Sequence, residues 1–562
     1  MKFLKQFFGS RNFLTGAAIL GLAGVLCRIL GVVIRIPLTN IVGNFGMGLY
    51  QMVFPLYALL LVFSSAGVPI AISKMVAREK VGGNLPECRR ILLNAVILLG
   101  IIGVVISALF MIFSHPIAKL QGNGDVGIIY LAIAPSVFLV CIIAAFRGYF
   151  QGFQNMVPTA TSQIIEQTVK VAAGITMAVI FINISVVWAV FGAILAVTVS
   201  EVVALLFLTG VYIFHSKKQR GKKDKTKKTK SKQRKIPVDW RLMWSILKQS
   251  IPVTLMASVF PLILVMDSML VINMLVAAGA KNTEATQLFG IQSGTVHTLI
   301  NLPAVLAIAL ATAVVPTVSS LMKQKKVDEL RDKMSLAVKI TLLISIFFAV
   351  FYFAFAKSII DLLYHGAFKG NEKHLTLAAN LLKIESALIL LMGISSVFTA
   401  MLQGIDKAKF PLIALVIGGV IKMAIQFSLI KTSVGIYAVS LGNVACFLTA
   451  AILNTIFAIY FIQIKGDLRS NAVKFVALSV GFGACVLLLA GIMPESRWWV
   501  LLGGAASLTI YLILVAIFGF LRFTGSGIGN NSDVKTKGEN NEKSRICRKN
   551  GREMGNAKKT SR

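Results

Sequence analysis

Acidic residues are scarce in this chain, and charged residues of every kind are few. Aspartate and glutamate number 22 against 57 lysines and arginines among 562 residues, and only 14% of all residues are charged. Because a soluble domain carries about 25% charged residues, this composition excludes a soluble globular protein of this size. The hydrophobic share of 56% and the mean hydropathy of +0.81 indicate an all-α polytopic membrane protein.

Cysteine is scarce, and the sequence motifs typical of enzymes are absent. The six cysteines have no CxxC spacing and lie mostly in apolar runs, so we predict neither disulfides nor a metal site. The sequence has no GxxxxGK[ST] loop and no His/Cys/Asp cluster of metal-ligand type. We therefore expect no cofactor and no enzyme activity. Any transport would depend on an ion gradient, the membrane potential or substrate supply rather than on ATP bound by this chain.

Long apolar runs recur along the whole chain. A helix needs about 20 mostly apolar residues to cross the hydrocarbon core of a bilayer. We predict fourteen transmembrane spans, near residues 13–38, 48–76, 91–114, 127–149, 157–182, 186–214, 249–277, 287–317, 335–364, 376–402, 410–431, 435–463, 473–493 and 498–521. The amino terminus begins like a signal peptide, but its apolar run continues past Arg28 without a cleavage site. We therefore predict an uncleaved first helix.

Lysine and arginine collect in alternate loops of this arrangement. The largest groups are the segment 217–248 and the tail after Arg522. The alternate set of loops, on the opposite side of the membrane, holds little beyond single residues such as Lys119 and Lys281. Because positively charged loops stay in the cytoplasm, we predict a multi-pass cell-membrane protein with both termini cytoplasmic. Basic residues beside membrane helices also contact anionic headgroups, so we expect anionic lipids rather than nucleic acid as partners.

A basic stretch divides the spans into six and eight. HSKKQRGKKDKTKKTKSKQRK, from His215 to Lys235, has almost no apolar residues and cannot bury a core. We predict a disordered linker there. The predicted units are an N-lobe, a Lys-rich cytoplasmic linker, a C-lobe, two further helices and a disordered basic tail, at residues 1–214, 215–248, 249–463, 464–521 and 522–562.

The two sides of the linker share a faint repeat. GVPIAIS at 67–73 resembles VVPTVSS at 314–320, and FQGFQNMVP at 150–158 resembles LQGIDKAKFP at 402–411. Lys170 lies twelve residues past Pro158, and Lys422 lies eleven past Pro411. The matching elements have the same orientation, so we predict two six-helix lobes related as parallel repeats, with a cavity between them.

Two arginines interrupt the first apolar run, LCRILGVVIRIPL at 26–38. Arg28 and Arg35 are seven residues apart, which places them on one helix face about 10 Å apart along the axis. Ionisable residues at membrane depth cost about 2.5–3.5 kcal/mol on insertion scales and usually face a cavity or a partner. Since arginine binds phosphate oxygens through a planar fork, the pair predicts an extended anion such as a diphosphate. The alternative is that Arg35, near the outer end, extends to the membrane interface.

Other charged residues are candidates for the wall of the cavity. Glu166 and Lys170 are spaced i, i+4, which favours an internal ion pair that is either structural or functional. Lys422 is the repeat counterpart of Lys170, and no carboxylate matches Glu166. Asp267 has no partner in its own helix, which predicts a cation site, gating against an N-lobe arginine, or a hydrogen-bonded interior acid.

The remaining ionisable residues have competing structural explanations. His297 either lines the cavity or is a satisfied core histidine. Arg147 sits where the fourth span meets the cytoplasm, where topology or headgroup binding explains it. Four further residues are interpreted as lying near span ends with structural roles: Glu201, Lys339, Lys383 and Glu385.

Three segments carry a resemblance to a known family. RIPLTNIVGNFGMGLYQMVFPLYALLLVFSSAGVPIAISKMVA (35–77), RGYFQGFQNMVPTATSQIIEQTVK (147–170) and GIDKAKFPLIALVIGGVIKMAI (404–425) resemble the stage V sporulation protein B and MurJ-type branch of the multidrug/oligosaccharidyl-lipid/polysaccharide (MOP) exporter superfamily. The resemblance covers roughly residues 10–520. It implies fourteen helices in two lobes that alternate between inward-open and outward-open states.

The resemblance also implies a function, a flippase for a lipid-linked cell-wall precursor such as lipid II, in sporulation or vegetative growth. Arg28, in CRILG, matches the first of the helix-one arginines that hold the diphosphate in MurJ-like proteins. The family tends to place a basic group on helix eight, where this chain offers only His297 and Thr298.

Several alternatives remain open at this point. The chain could export another lipid-linked polysaccharide unit, act as a cation-coupled drug exporter, or serve as a scaffold that recruits cell-wall synthesis enzymes through its basic segments. The expected partners are a lipid-linked saccharide diphosphate, anionic lipids, a monovalent cation and cell-wall synthesis enzymes.

Overall fold

The computed structural model describes residues 13–65, 67–223, 238–324, 326–462, 468–494 and 497–520, and all regular structure within them is helical. In chain order the helices are α1 (Phe13–Val33), α2 (Arg35–Ser65), α3 (Val68–Val81), α4 (Leu85–Ile112), α5 (Ser114–Leu120), α6 (Val126–Gly152), α7 (Val157–Phe181), α8 (Val186–Lys223), α9 (Trp240–Ala277), α10 (Asn282–Phe289), α11 (His297–Lys323), α12 (Val327–Ala354), α13 (Ala356–Phe368), α14 (Glu372–Gly404), α15 (Lys409–Leu429), α16 (Tyr437–Ile462), α17 (Leu468–Ile492) and α18 (Trp499–Ile517). A π-helical segment, Gly290–Val296, joins α10 to α11.

Thirteen stretches of helix in the described residues are long and apolar enough to cross a membrane. Twelve of them each match one predicted span. The other, Ile19–Val81, is 63 residues long and contains the first two predicted spans. Non-helical backbone at Gly43 (φ +68°, ψ −178°) separates those two spans inside α2. A positive φ of this size favours glycine, which has no Cβ. The prediction of an all-helical polytopic membrane protein is confirmed.

Several predicted boundaries differ from the structure. Helix α9 begins at Trp240, inside the predicted linker 215–248. The span predicted at 335–364 ends at Ala354, and a separate short helix, α13, follows it. The apolar side chains of α13, among them Ile360 and Tyr364, are buried in protein, so their hydrophobicity reflects packing rather than contact with lipid. Helix α8 continues to Lys223, into the predicted linker, because lysine, arginine and glutamine are good helix formers. Residues 224–237 of the linker and the predicted tail lie outside the described residues.

The backbone reproduces the repeat that the sequence predicts. Helix α6 ends at FQGFQN and helix α14 ends at LQGIDK, and the fifth residue of each motif has a positive φ, 58° at Gln154 and 61° at Asp406. The amide of Gln154 donates to the carbonyl of Gln151 (2.8 Å), and the amide of Asp406 donates to the carbonyl of Gln403 (3.1 Å). Two loops with the same hydrogen bonds and the same rare backbone conformation, one in each lobe, support the assignment of parallel repeats.

The lobes meet along one end of the molecule in a set of side-chain amide contacts, which we call the interlobe seal. N-lobe amides donate five of its hydrogen bonds: Asn40 Nδ2 to Leu363 O (2.8 Å), Asn44 Nδ2 to Ala367 O (3.2 Å), Gln51 Nε2 to Ser293 O (2.5 Å), Gln121 Nε2 to Ser268 Oγ (3.2 Å) and Asn123 Nδ2 to Thr286 Oγ1 (3.2 Å). Amide hydrogen bonds of this kind join helices in membranes, where apolar burial between helices contributes little.

The backbones of the two lobes approach closely within the seal. A Cβ built on Gly290 would lie 2.6 Å from the amide nitrogen of Gly48. No side chain fits there, so glycine at this position allows the π-helical segment to pack directly on α2. The predicted topology places this end of the molecule on the outer side of the membrane.

Candidate functional site

A cavity of about 160 Å³ lies between the lobes, beside the seal. The N-lobe wall comes from α2 and the C-lobe wall comes from α9, the end of α10, the π-helical segment, α11 and α16. Three of the residues predicted from the sequence line this cavity: Arg35, Asp267 and His297. Arg35 is more than 200 residues from the other two in the chain, and the tertiary structure brings the three together.

Arg35 is the first residue of α2, at the cavity wall. Its guanidinium lies 5.1 Å from the centre of the Phe54 ring, in cation–π contact, and its Nη1 donates to Thr298 Oγ1 at 3.4 Å. Among the described residues no carboxylate lies within 4.0 Å of this guanidinium. Its charge is therefore not neutralised by an ion pair and is available to an anionic ligand.

Arg28 lies outside this cavity. Its side chain is exposed on α1, and α1 packs against α7 and α11. A one-residue turn at Ile34 separates α1 from α2, but the backbone hydrogen bonds from Ile34 to Leu30 and from Leu38 to Ile34 preserve the helical course. The two arginines thus lie one after the other along the course of α1 and α2, and only Arg35 reaches the cavity.

The N-lobe interior contains an ion-pair cluster that does not line the cavity. Glu166 of α7 accepts from Arg147 Nη2 of α6 at 2.9 Å and from Lys170 Nζ at 3.3 Å. Arg147 Nε also donates to Ser162 Oγ at 3.1 Å. The side chain of Arg147 is only 16% exposed, so the structure places it inside the lobe rather than among lipid headgroups. The predicted Glu166–Lys170 pair is present, and Arg147 completes it.

Asp267 pairs within its own lobe. One carboxylate oxygen contacts Lys422 Nζ, and the other accepts from Gln426 Nε2 at 3.1 Å. The expectation that Asp267 gates against an N-lobe arginine is therefore not met in this structure. Lys422 is 3% exposed, and its ammonium occupies the position that a free cation would need at this carboxylate. No carboxylate in α15 matches Glu166, and α9 supplies one instead.

Glu385 is the most enclosed charged group near the cavity. It is fully buried (0% exposed) in the middle of α14. Its Oε1 accepts from Gln292 Nε2 at 2.8 Å, from Ser440 Oγ at 2.8 Å and from Asn443 Nδ2 at 3.1 Å. Its Oε2 lies 3.6 Å from Nδ1 of His297. His297 is thus not an isolated core histidine, because it faces a buried carboxylate.

The interpretation of Glu201 and Glu385 as residues near span ends was wrong. Glu201 is 1% exposed inside the N-lobe, and its Oε1 lies 3.5 Å from the hydroxyl of Tyr57. The predicted span 186–214 has Glu201 at its middle, so its depth in the membrane was the signal available in the sequence. Lys383 is exposed, but it too lies inside α14 rather than near the end of that helix.

Comparisons with known proteins agree with this architecture. The family model described as polysaccharide biosynthesis protein matches residues 13–322, and the MatE model matches residues 261–428. The chain is 28% identical to stage V sporulation protein B of Bacillus subtilis (strain 168) over 91% of this chain and 96% of that protein. It is 26% identical to the lipid II flippase MurJ of the same organism over 86% of this chain and 89% of that protein.

A solved structure is similar in fold. The inward closed conformation of the lipid II flippase MurJ superposes with a TM-score of 0.68 at 16% identity, covering 89% of this chain and 98% of that one. At this level of identity the likeness concerns the fold, two helical lobes with additional carboxy-terminal helices.

Proposed function

The chain belongs to the polysaccharide biosynthesis protein family, in the MOP superfamily of transporters, and from this premise we propose that it is a flippase. Its substrate would be an undecaprenyl-diphosphate-linked peptidoglycan precursor resembling lipid II. The protein would carry the headgroup from the inner to the outer leaflet by alternating access. The similarity to stage V sporulation protein B favours a role in spore cortex synthesis.

The unpaired guanidinium of Arg35 in the interlobe cavity is the observation that carries this proposal. The carboxylate that lines the cavity, Asp267, is neutralised by Lys422. The carboxylate of Glu385 is fully buried, where it accepts three hydrogen bonds and faces His297 rather than Arg35. The cavity lining therefore presents one cation that no carboxylate contacts. A diphosphate supplies the complementary charge, and a guanidinium binds its oxygens in bidentate geometry.

Arg28 extends this site toward the cytoplasmic leaflet. Arg28 lies seven positions before Arg35, or about 10 Å along the helix axis. A diphosphate that first contacts the exposed Arg28 would move one step along the same helix to reach Arg35. The lipid tail would remain in the bilayer, entering between α1 and α11, which pack against each other in this structure.

The seal gives the expected direction of opening. If both termini are cytoplasmic, as the distribution of lysine and arginine predicts, the seal closes the outer side and the cavity communicates with the inner side. Breaking the seal while the lobes close at the opposite end would expose the headgroup to the outer leaflet. The ion pairs of the N-lobe (Glu166 with Lys170 and Arg147) and of the C-lobe (Asp267 with Lys422) would keep each lobe rigid during that movement.

A cation-coupled drug exporter fits the cavity less well. Such an exporter would favour an acidic, aromatic-rich cavity surface, whereas the carboxylate at this surface, Asp267, already has an ammonium partner. An exporter of another lipid-linked saccharide unit would share the diphosphate contact and would be separated from our proposal only by its sugar.

The experiment that tests this function measures the exposure of lipid-linked precursor on the outer leaflet. Cells depleted of the protein and of any other flippase are complemented with wild type, Arg28→Ala, Arg35→Ala or Arg241→Ala. Arg241 is an exposed arginine at the start of α9, away from the cavity, and serves as the matched control. We expect wild type and Arg241→Ala to restore outer exposure and the two cavity-path variants to lose most of it. Normal exposure in depleted cells, or in cells with Arg35→Ala, would contradict the proposal.

A further inference from the structure

The contact between His297 and Glu385 has an unusual feature that the flippase proposal does not use. Nδ1 of His297 and Oε2 of Glu385 face each other at 3.6 Å, both are inaccessible to solvent, and neither has a hydrogen-bond partner among the described residues. Buried polar atoms are almost always paired. A carboxylate oxygen and an imidazole nitrogen that face each other in this way can be bridged by one proton.

Charge balance leads to the same conclusion. With a neutral imidazole the pair has one net negative charge in a fully buried position, stabilised by three neutral donors. One added proton makes the pair neutral overall, with the proton held on Nδ1 and donated to Oε2. Closing the gap from 3.6 Å to an ordinary hydrogen-bond length requires a movement of well under 1 Å. Histidine is the side chain that exchanges a proton most readily near neutral pH.

The charged groups on the elements that line the cavity beside this pair are as follows. Arg35 of α2 reaches Thr298, the residue next to His297, on the opposite cavity wall. Asp267 of α9 lines the same cavity and is paired with Lys422 of α15. Helix α16 contributes only the neutral donors Ser440 and Asn443. Arg35 is therefore the cation that the opposite lobe places beside the pair, and its departure, when the lobes separate or an anion binds it, would favour proton uptake.

A chain of hydrogen bonds connects the pair to the seal. Gln292 donates to Glu385 Oε1, and its own side-chain oxygen accepts from Ser293 Oγ at 2.7 Å. The carbonyl of Ser293 accepts from Gln51 of the N-lobe. Gln292 and Ser293 both lie in the π-helical segment Gly290–Val296, and π-helical turns are frequently found at functional sites.

We propose that His297 and Glu385 form a proton-binding site and that its occupancy controls the interlobe seal. Hydrogen bonds to an ionised acceptor are roughly twice as strong as bonds to a neutral one. The unprotonated carboxylate holds Gln292, and through it the π-helical segment, in the position that bonds Gln51. Proton binding draws charge from the carboxylate, weakens that hold and favours opening of the seal. Movement of the lobes is thereby coupled to a proton, whatever substrate the cavity carries.

The test measures the seal directly, in the full chain without substrate. Spin labels are attached to Gly124→Cys in the N-lobe and Lys369→Cys in the C-lobe, both exposed positions beside the seal, after the native cysteines are replaced by serine. Interlobe distances are recorded by double electron–electron resonance in proteoliposomes at about pH 5.5 and about pH 8, on either side of the ordinary titration range of histidine. We expect a longer distance to gain population at the lower pH.

Variants assign the effect to the pair. Glu385→Gln removes the negative charge and should give the open distance at both pH values. His297→Gln removes the imidazole and should abolish the pH response. Because the His297 side chain is partly exposed to the cavity (18%), this variant tests the proposal even where Glu385→Gln fails to fold. The matched control is His365→Gln, which breaks a second histidine–carboxylate pair, His365 with Asp361 (2.9 Å), at the exposed face of α13.

The outcomes separate this proposal from its alternatives. Retention of the shift in His365→Gln and its loss in His297→Gln support the site. No shift in wild type, a shift that persists in both cavity variants, or a shift that His365→Gln removes would overturn it. Since no substrate is present, none of these results depends on the flippase proposal, which can fail independently in the leaflet assay.

Discussion

Replacement of Arg35 by alanine gives the sharpest biochemical prediction. In the free protein the guanidinium makes one long hydrogen bond to Thr298 (3.4 Å) and a cation–π contact with Phe54. Such a cation–π contact contributes about 0.5–1 kcal/mol at an exposed site and about 2 kcal/mol when desolvated. Arg35 is partly buried, so we expect Arg35→Ala to change the stability of the protein by about 2 kcal/mol or less.

Binding of a diphosphate should suffer much more. A hydrogen bond to a charged group contributes about 1.5–3 kcal/mol, and each 1.4 kcal/mol changes an equilibrium constant about tenfold. The loss of one guanidinium–phosphate contact thus predicts a rise in Kd of about 10- to 150-fold. Arg35→Lys keeps the charge but loses the planar fork, so we expect an intermediate value.

The assay is equilibrium binding of a short-chain polyprenyl diphosphate to the purified full chain in detergent, followed by intrinsic tryptophan fluorescence. Arg241→Ala is again the control, since it removes an arginine outside the cavity. The matching polyprenyl alcohol, which lacks the diphosphate, should bind wild type and Arg35→Ala equally. A Kd for Arg35→Ala within about twofold of wild type, a difference of less than about 0.5 kcal/mol, would refute the assignment of Arg35 to the diphosphate.

Three further predictions concern stability and conformation. Lys422→Ala leaves Asp267 buried without its cation and should destabilise the C-lobe by about 3–5 kcal/mol. This loss would be measured as a lower Tm in detergent. The double variant with Asp267→Asn should recover much of the lost stability. Gly290→Ala places a Cβ against the backbone of Gly48, so the spin-label distances across the seal should shift toward the open state at every pH. Arg147→Ala removes one of two cations from a buried carboxylate and should lower the Tm, whereas a role in headgroup binding alone would leave the Tm unchanged.

The general architecture could be read from local features of the chain. Each span is an uninterrupted apolar run whose length is set by the thickness of the bilayer, so twelve of the candidate membrane helices match one predicted span each. The repeat was also accessible from the sequence, because Gln154 and Asp406 each follow a Gln-Gly pair in matching motifs. The structure then shows that the two residues adopt the same backbone conformation. Arg35, Asp267 and His297 could be selected individually, because an ionisable residue in an apolar run is costly and therefore informative.

The partners of these residues depended on the tertiary structure. Asp267 and Lys422 are 155 residues apart. Their contact depends on how α9 and α15 are rotated about their axes, and the apolar sequence of a membrane helix does not specify this rotation. The same holds for Glu385, whose neighbours come from the π-helical segment, α11 and α16. Apolar length decides where a helix crosses the membrane, and helix rotation and register decide which buried charges meet. For that reason the chain by itself determined the spans and the repeat, and only the packed lobes decided the seal, the cavity and the pairing of its charges.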